Sequence, residues 1–170
     1  MNVRTIKRLA TIAIAAAVSW VFVPSQANAA DVLDVKVIGT DLARDIADGA
    51  VKKCAEDGYA ASAVVVDRNG DTMVAIRGDV ASRFTLEIAA GKARAVILSG
   101  AASKELRASR GDIRPELNHL EGILVMDGGL PIDSGGFRIG AVGVSGAPTG
   151  AIDEACAQTA IDAVFDRIGF

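Results

Sequence analysis

The sequence predicts an α+β domain, an antiparallel sheet with helices packed on it, from three observations. Two runs of β-forming residues flank Asn69-Gly70, the strongest short hairpin signal. Amphipathic helical patterns at 40–55 and 153–168 bracket the domain. The order helix, hairpin, helix, further strands, helix has no repeating β-α-β rhythm, which excludes a Rossmann-type parallel sheet.

Ahead of the domain, Arg4, Lys7 and Arg8 precede an apolar run over 9–23, interrupted only by Thr11 and Ser19 and ended by Pro24. Ala27-Asn28-Ala29 then offers small residues where signal peptidase needs them. The run is shorter than the roughly 20 residues that a membrane-crossing helix requires. Residues 1–29 are therefore expected to be a cleaved signal peptide, and 30–170 the mature, periplasmic or secreted domain with no membrane span. Removing 29 of the 170 residues leaves 141, a common single-domain size. The leader holds three basic and no acidic residues, so the net charge moves from −3 to about −6. An acidic chain without a Lys/Arg cluster excludes a nucleic-acid partner.

In the domain, Thr40 is expected to cap the first helix, with Leu42, Ile46, Ala50 and Cys54 on its apolar stripe and Gly58 ending it. The hairpin strands are Ser62–Asp67 and Thr72–Arg77. A middle helix over 82–98 follows, closed by Gly100, with Phe84, Ile88, Ala95 and Leu98 lining one face. Ser103–Ser109 reads as a short helix and 110–120, with Pro115, as irregular. Residues 123–126 read as a short strand, 127–129 as a turn, and Phe137–Ser145 as a strand whose Gly140 and Gly143 admit close backbone. The last helix carries Ile152, Cys156, Ala160, Val164 and Ile168 at four-residue spacing.

Cys54 and Cys156 are the two cysteines, and the export signal places them where disulfides persist. Each lies on an apolar stripe, one turn from the end of the first helix and from the start of the last. Antiparallel packing of those helices brings them level, which predicts an intramolecular disulfide; two reduced buried thiols are the alternative. With no CxxC and His119 as the single imidazole, the usual zinc spacings are absent.

Asp67, Asn69 and Asp71 alternate like the first ligands of a calcium loop, but Thr72 and Gly78 stand where a glycine and a glutamate are needed, so a turn is expected. Arg77-Gly78-Asp79 and Arg110-Gly111-Asp112 match an adhesion tripeptide, which carries no chemistry by itself. Lys92 interrupts an apolar helix stretch, marking either a site or a lysine snorkelling to solvent. His119 is the only classical general base or nitrogen ligand, or else a loop residue. No Gly-x-Ser-x-Gly elbow supports a hydrolase, and neither glycine block, 128–132 or 140–146, has the order of a phosphate loop.

Taken together, Ala63-Val64-Val65-Val66-Asp67 with Asn69-Gly70, Arg77 and Asp79, Ala89-Ala90-Gly91-Lys92-Ala93, Gly128-Gly129-Leu130-Pro131-Ile132, the 140–146 block and Asp153-Glu154-Ala155 resemble the GlcG/HbpS family. That family includes extracellular haem-binding proteins and the C-terminal domain of PduO-type cobalamin adenosyltransferases. The resemblance spans 40–164. It implies a profilin-like sheet flanked by helices, a homo-oligomer (dimer or higher), and an exported small-molecule binding protein with haem or a related tetrapyrrole as ligand. Arg77-Gly78-Asp79-Val80-Ala81 departs from the family's Arg-Met-Asp-Gly-Ala, and no histidine occurs over 40–59, where haem-ligating members place one. The axial ligand would then be His119, with Tyr59 or a methionine next. The expected ligand-binding residues are Arg77, Asp79, Lys92, His119, Gly128 and Gly129, with Arg77 and Lys92 facing a common cleft. The alternative is a periplasmic enzyme acting on a small organic acid or redox-active compound, with His119 or Lys92 as acid/base.

Overall fold

The hairpin forms as expected, β1 (Ser62–Asp67) against β2 (Thr72–Arg77), and Gly70 takes the positive φ of 92° that its turn requires. Asp67 Oδ1 accepts from the backbone N–H of Asn69 and of Asp71, so this carboxylate closes the turn rather than holding a cation. The other strands are β3 (Gly129–Ser134) and β4 (Phe137–Ser145), and the sheet order is β2-β1-β4-β3, antiparallel throughout. The structure is a computed structural model that describes residues 33–168. From Asp34 they form one compact unit, and the predicted signal peptide lies outside the described residues.

Both faces of the sheet are covered, which is why central β1 reads Ser-Ala-Val-Val-Val rather than alternating with polar residues. On one face Ala63, Val65, Val142 and Val144 pack against α1 (Thr40–Glu56) and α5 (Gly150–Ala163). On the other, Val64, Val66 and Ala141 meet Ala89, Ala93 and Val96 of α2 (Phe84–Ser99). Gly143 brings α2 down onto β4: a Cβ there would stand 2.0 Å from the Ala89 carbonyl oxygen. Between α2 and β3 the chain forms α3 (Ser103–Ser109) and the one-turn α4 (Arg114–Leu117), and α6 (Phe165–Ile168) follows α5.

The disulfide Cys54–Cys156 joins α1 to α5, with Cα atoms 5.5 Å apart. The helices run antiparallel: Gly49 faces Ala160 and Arg167 pairs with Asp45 further along.

Four expectations need correction. Gly39, not Thr40, caps α1, with Thr40 its first helical residue. Residues 123–126 are not a strand, because the Leu124 N–H is taken by the Gly91 carbonyl and the Val125 N–H by Asn118 Oδ1, leaving no donors for a sheet edge. The third strand begins at Gly129 instead, and tolerates Pro131 because it is an edge strand. The buried residues of α2 are Thr85, Ala89, Gly91, Lys92, Ala93, Ala95 and Val96, so of the expected face Ala95 is buried while Phe84 and Leu98 are exposed. The last helix starts at Gly150 with Thr149 as cap and breaks at Val164. The 110–120 stretch, expected to be irregular, contains only the four residues of α4 as helix.

Candidate functional site

Lys92 projects from the buried side of α2 into the end of the sheet and is 2% exposed. Its Nζ donates to Asp153 Oδ2 and to the Val144 carbonyl, each at 2.8 Å. Asp153, in the first turn of α5 and equally buried, accepts from the Ala147 N–H on its other oxygen at 2.9 Å. The pair thus ties α2, β4, the 145–149 loop and α5 together. Space for it exists because position 128 is glycine: a Cβ there would lie 2.9 Å from the Asp153 Cβ and 3.0 Å from Lys92 Nζ. Gly129 in turn admits the Lys92 backbone and donates its N–H to Ser103 Oγ.

The pair forms the floor of a cleft of about 400 Å³. Ile88, Val125, Met126 and Pro148 give apolar wall, and Ser145, Thr149 and Asn118 polar wall. Arg107 of α3 and Arg114 of α4 stand at its side. Arg107 donates to Asp127 Oδ2 at 3.0 Å, while Asp127 Oδ1 is buried without a partner among the described residues. Each of the two carboxylates is therefore matched by a cation, and the Arg114 guanidinium is left over.

A second pocket, of about 330 Å³, opens where α1 ends and β2 leaves the sheet. Val51, Ala55, Ala60, Ala61 and Val80 line it with Gly58, Gly78, Tyr59 and Asp79. Tyr59 is half-buried against the α1 side of the core, and its backbone N–H closes the helix on the Cys54 carbonyl. Its phenolic oxygen has no hydrogen-bond partner among the described residues, whereas the surrounding wall is small and apolar.

The expected ligand-binding residues do not converge on one place. Lys92 lies in the charged cleft; Gly128 and Gly129 pack against Lys92 and do not line that cleft. Arg77 is exposed and in register with Ser62, itself paired with Ser145 at the cleft wall, so it shares the α2 face but stands two strands away. The common cleft expected for Arg77 and Lys92 is not formed, because β1 intervenes. Asp79 joins Tyr59 in the second pocket. His119 is exposed beyond α4 and lines neither. Among the described residues no group of three His, Cys, Asp or Glu side chains is placed to hold a metal ion.

Asp153, Arg107, Arg114 and Asp127 were not singled out from the sequence as site residues. The available signal was Lys92 itself, since a cation on an apolar helix demands an acidic partner, and Asp153 lies at the start of the last amphipathic pattern.

The family described as "Haem degrading protein HbpS-like" matches residues 38–162. The structure of HbpS is similar at 34% identity and a TM-score of 0.73, over 79% of this chain and 94% of that one. A double mutant of Streptomyces reticuli HbpS is 32% identical with a TM-score of 0.74, over 84% and 97%. A PduOC:haem complex is 25% identical with a TM-score of 0.66, over 75% and 94%. No curated protein matches the chain. With a four-stranded antiparallel sheet between helices and a match across almost all the described domain, this chain belongs to the HbpS-like family.

Proposed function

We propose that this is an exported protein that binds haem or a related tetrapyrrole in the pocket at the end of α1, with Tyr59 as the axial ligand of the iron. The phenol of Tyr59, without a protein partner and set in an apolar wall of small residues, carries the reading. A flat macrocycle needs such a wall, and tyrosine is an established haem ligand. Ala55, Ala60 and Ala61 keep that wall small, Val51 and Val80 add apolar surface to it, and Asp79 offers a carboxylate at the rim. Bound haem would supply iron-centred redox chemistry, and Tyr59 with the apolar residues around it would hold the group. Export is supported by the leader pattern and by the Cys54–Cys156 disulfide. A homo-oligomer is part of the same proposal, resting on the family resemblance.

The charged cleft fits the macrocycle less well. Its surplus is one cation, its floor is an ion pair, and the one thioether that lines it is Met126, half-exposed at its wall. The acid/base alternative gains no base from the geometry either, since Lys92 is held by Asp153 and Val144 and His119 lies outside the cleft.

Hemin titration of the mature protein, beside a free-hemin blank, tests the proposal. A saturable Soret shift at micromolar protein that Tyr59→Phe abolishes or moves is expected. No saturable shift, or one that Tyr59→Phe leaves unchanged, overturns it.

A further inference from the structure

We infer that the charged cleft between α2, α4 and the start of α5 is a second binding site, separate from the pocket of Tyr59, and that it takes a small organic acid carrying one carboxylate. Three observations on the cleft lead there. First, its charges do not cancel: Lys92 is matched by Asp153 and Arg107 by Asp127, and Arg114 has no acceptor among the described residues. A single free guanidinium is a fork for a single carboxylate.

Second, the cleft floor holds a spare donor. The Lys92 ammonium has three protons, of which the Asp153 carboxylate and the Val144 carbonyl take two. The third has no acceptor among the described residues, on a side chain that is 2% exposed and lines the cleft. A buried donor left open is unfavourable until an acceptor arrives, and a carboxylate oxygen is the acceptor that the net charge asks for. Third, Ile88, Val125 and Pro148 give the body of such an acid an apolar wall, in a volume of about 400 Å³ that is ordinary for a small-molecule site. A dianion or a phosphate would meet Asp127 and Asp153 with only one unmatched cation to oppose them, so the charge balance selects a monocarboxylate.

NMR titration of the 15N-labelled mature protein with lactate, propionate and benzoate tests this, with lactamide as the uncharged counterpart of lactate. The expected result is saturable shifts of Lys92, Thr149 and Gly150 with at least one of the acids and none with lactamide. Arg114 is exposed, so Arg114→Gln is expected to fold and to weaken binding about tenfold or more, with Arg114→Lys in between. Absence of saturable shifts with all three acids, equal shifts with lactamide, or unchanged affinity in Arg114→Gln each overturn the inference. Hemin separates the two sites. Displacement of the acid by one equivalent of hemin would make the cleft the site of the macrocycle and overturn the inference while leaving haem binding intact. Acid binding that persists where hemin fails to bind would sink the haem proposal and sustain this one.

Discussion

Lys92→Met removes the cation from beneath the cleft and leaves the Asp153 carboxylate buried with a single donor, the Ala147 N–H. The side chains of the pair are 2% and 4% exposed, so water cannot replace the lost ammonium without opening the packing of α2 on β4. Breaking a buried ion pair by removing one partner costs about 3–5 kcal/mol, a large part of the roughly 5–15 kcal/mol that holds a domain folded. Asp153→Leu should cost as much or more, because it strands the ammonium on the Val144 carbonyl and also frees the Ala147 N–H. The double variant Lys92→Met/Asp153→Leu removes both charges at once and leaves the Ala147 N–H and the Val144 carbonyl without their side-chain partners, about 1 kcal/mol each. It is therefore expected to lie closer to wild type than either single variant, by about 2 kcal/mol or more. Urea unfolding followed by circular dichroism, with the disulfide intact and the slopes equal, measures all three. Single variants within about 1 kcal/mol of wild type, or a double variant no better than the singles, would refute the assignment of Lys92 and Asp153 as mutually dependent buried charges.

Three further outcomes are expected. Cys54→Ala/Cys156→Ala opens a loop closed over 102 residues and should lower stability by up to about 4–5 kcal/mol, read from the urea midpoint of wild type and variant under identical conditions. Gly143→Ala forces α2 off β4 and should cost about 1–3 kcal/mol or more, while Gly111→Ala, whose Cβ meets nothing within 4 Å, should stay within about 0.5 kcal/mol; thermal unfolding compares them. Lys104, held above its usual 10.5 first by its hydrogen bond to Glu154 and then by that charge, should titrate closer to its ordinary value in Glu154→Gln, as followed by NMR of the lysine side chains. A raised lysine favours the fold below its unfolded pKa, so whatever the pair contributes is present below about pH 10.5 and fades as the pH rises through the folded value.

Local signals made much of the fold legible. Asn69-Gly70 fixed the hairpin to the residue, and the glycine-spaced apolar run 137–145 fixed β4, because turn chemistry and strand periodicity act over a few positions. The disulfide was legible because two amphipathic stripes each offered one cysteine at matching heights. The buried face of α2 was not. A helix of alanines, one glycine and Lys92 is nearly apolar all round, so its orientation is set by Gly143 and Asp153, which lie 51 and 61 residues beyond Lys92. The 123–126 run misled for a related reason: Val125 is buried against Ala95 and Leu106, which a strand and a packed loop satisfy equally in sequence. The candidate sites were legible only in pieces, since Lys92, Asp79 and Tyr59 were visible as unusual residues while their division between two pockets depends on which face of the sheet each meets.

The central claim is that haem sits at the end of α1 on Tyr59. A crystal structure of residues 30–170 loaded with hemin tests it most directly. The account predicts the macrocycle against Val51, Ala55 and Ala61, with its iron bonded to Tyr59 Oη and the cleft of Lys92 and Arg114 free of it. Iron bound to His119 or Met126, or a macrocycle seated over the Lys92–Asp153 pair, would contradict it.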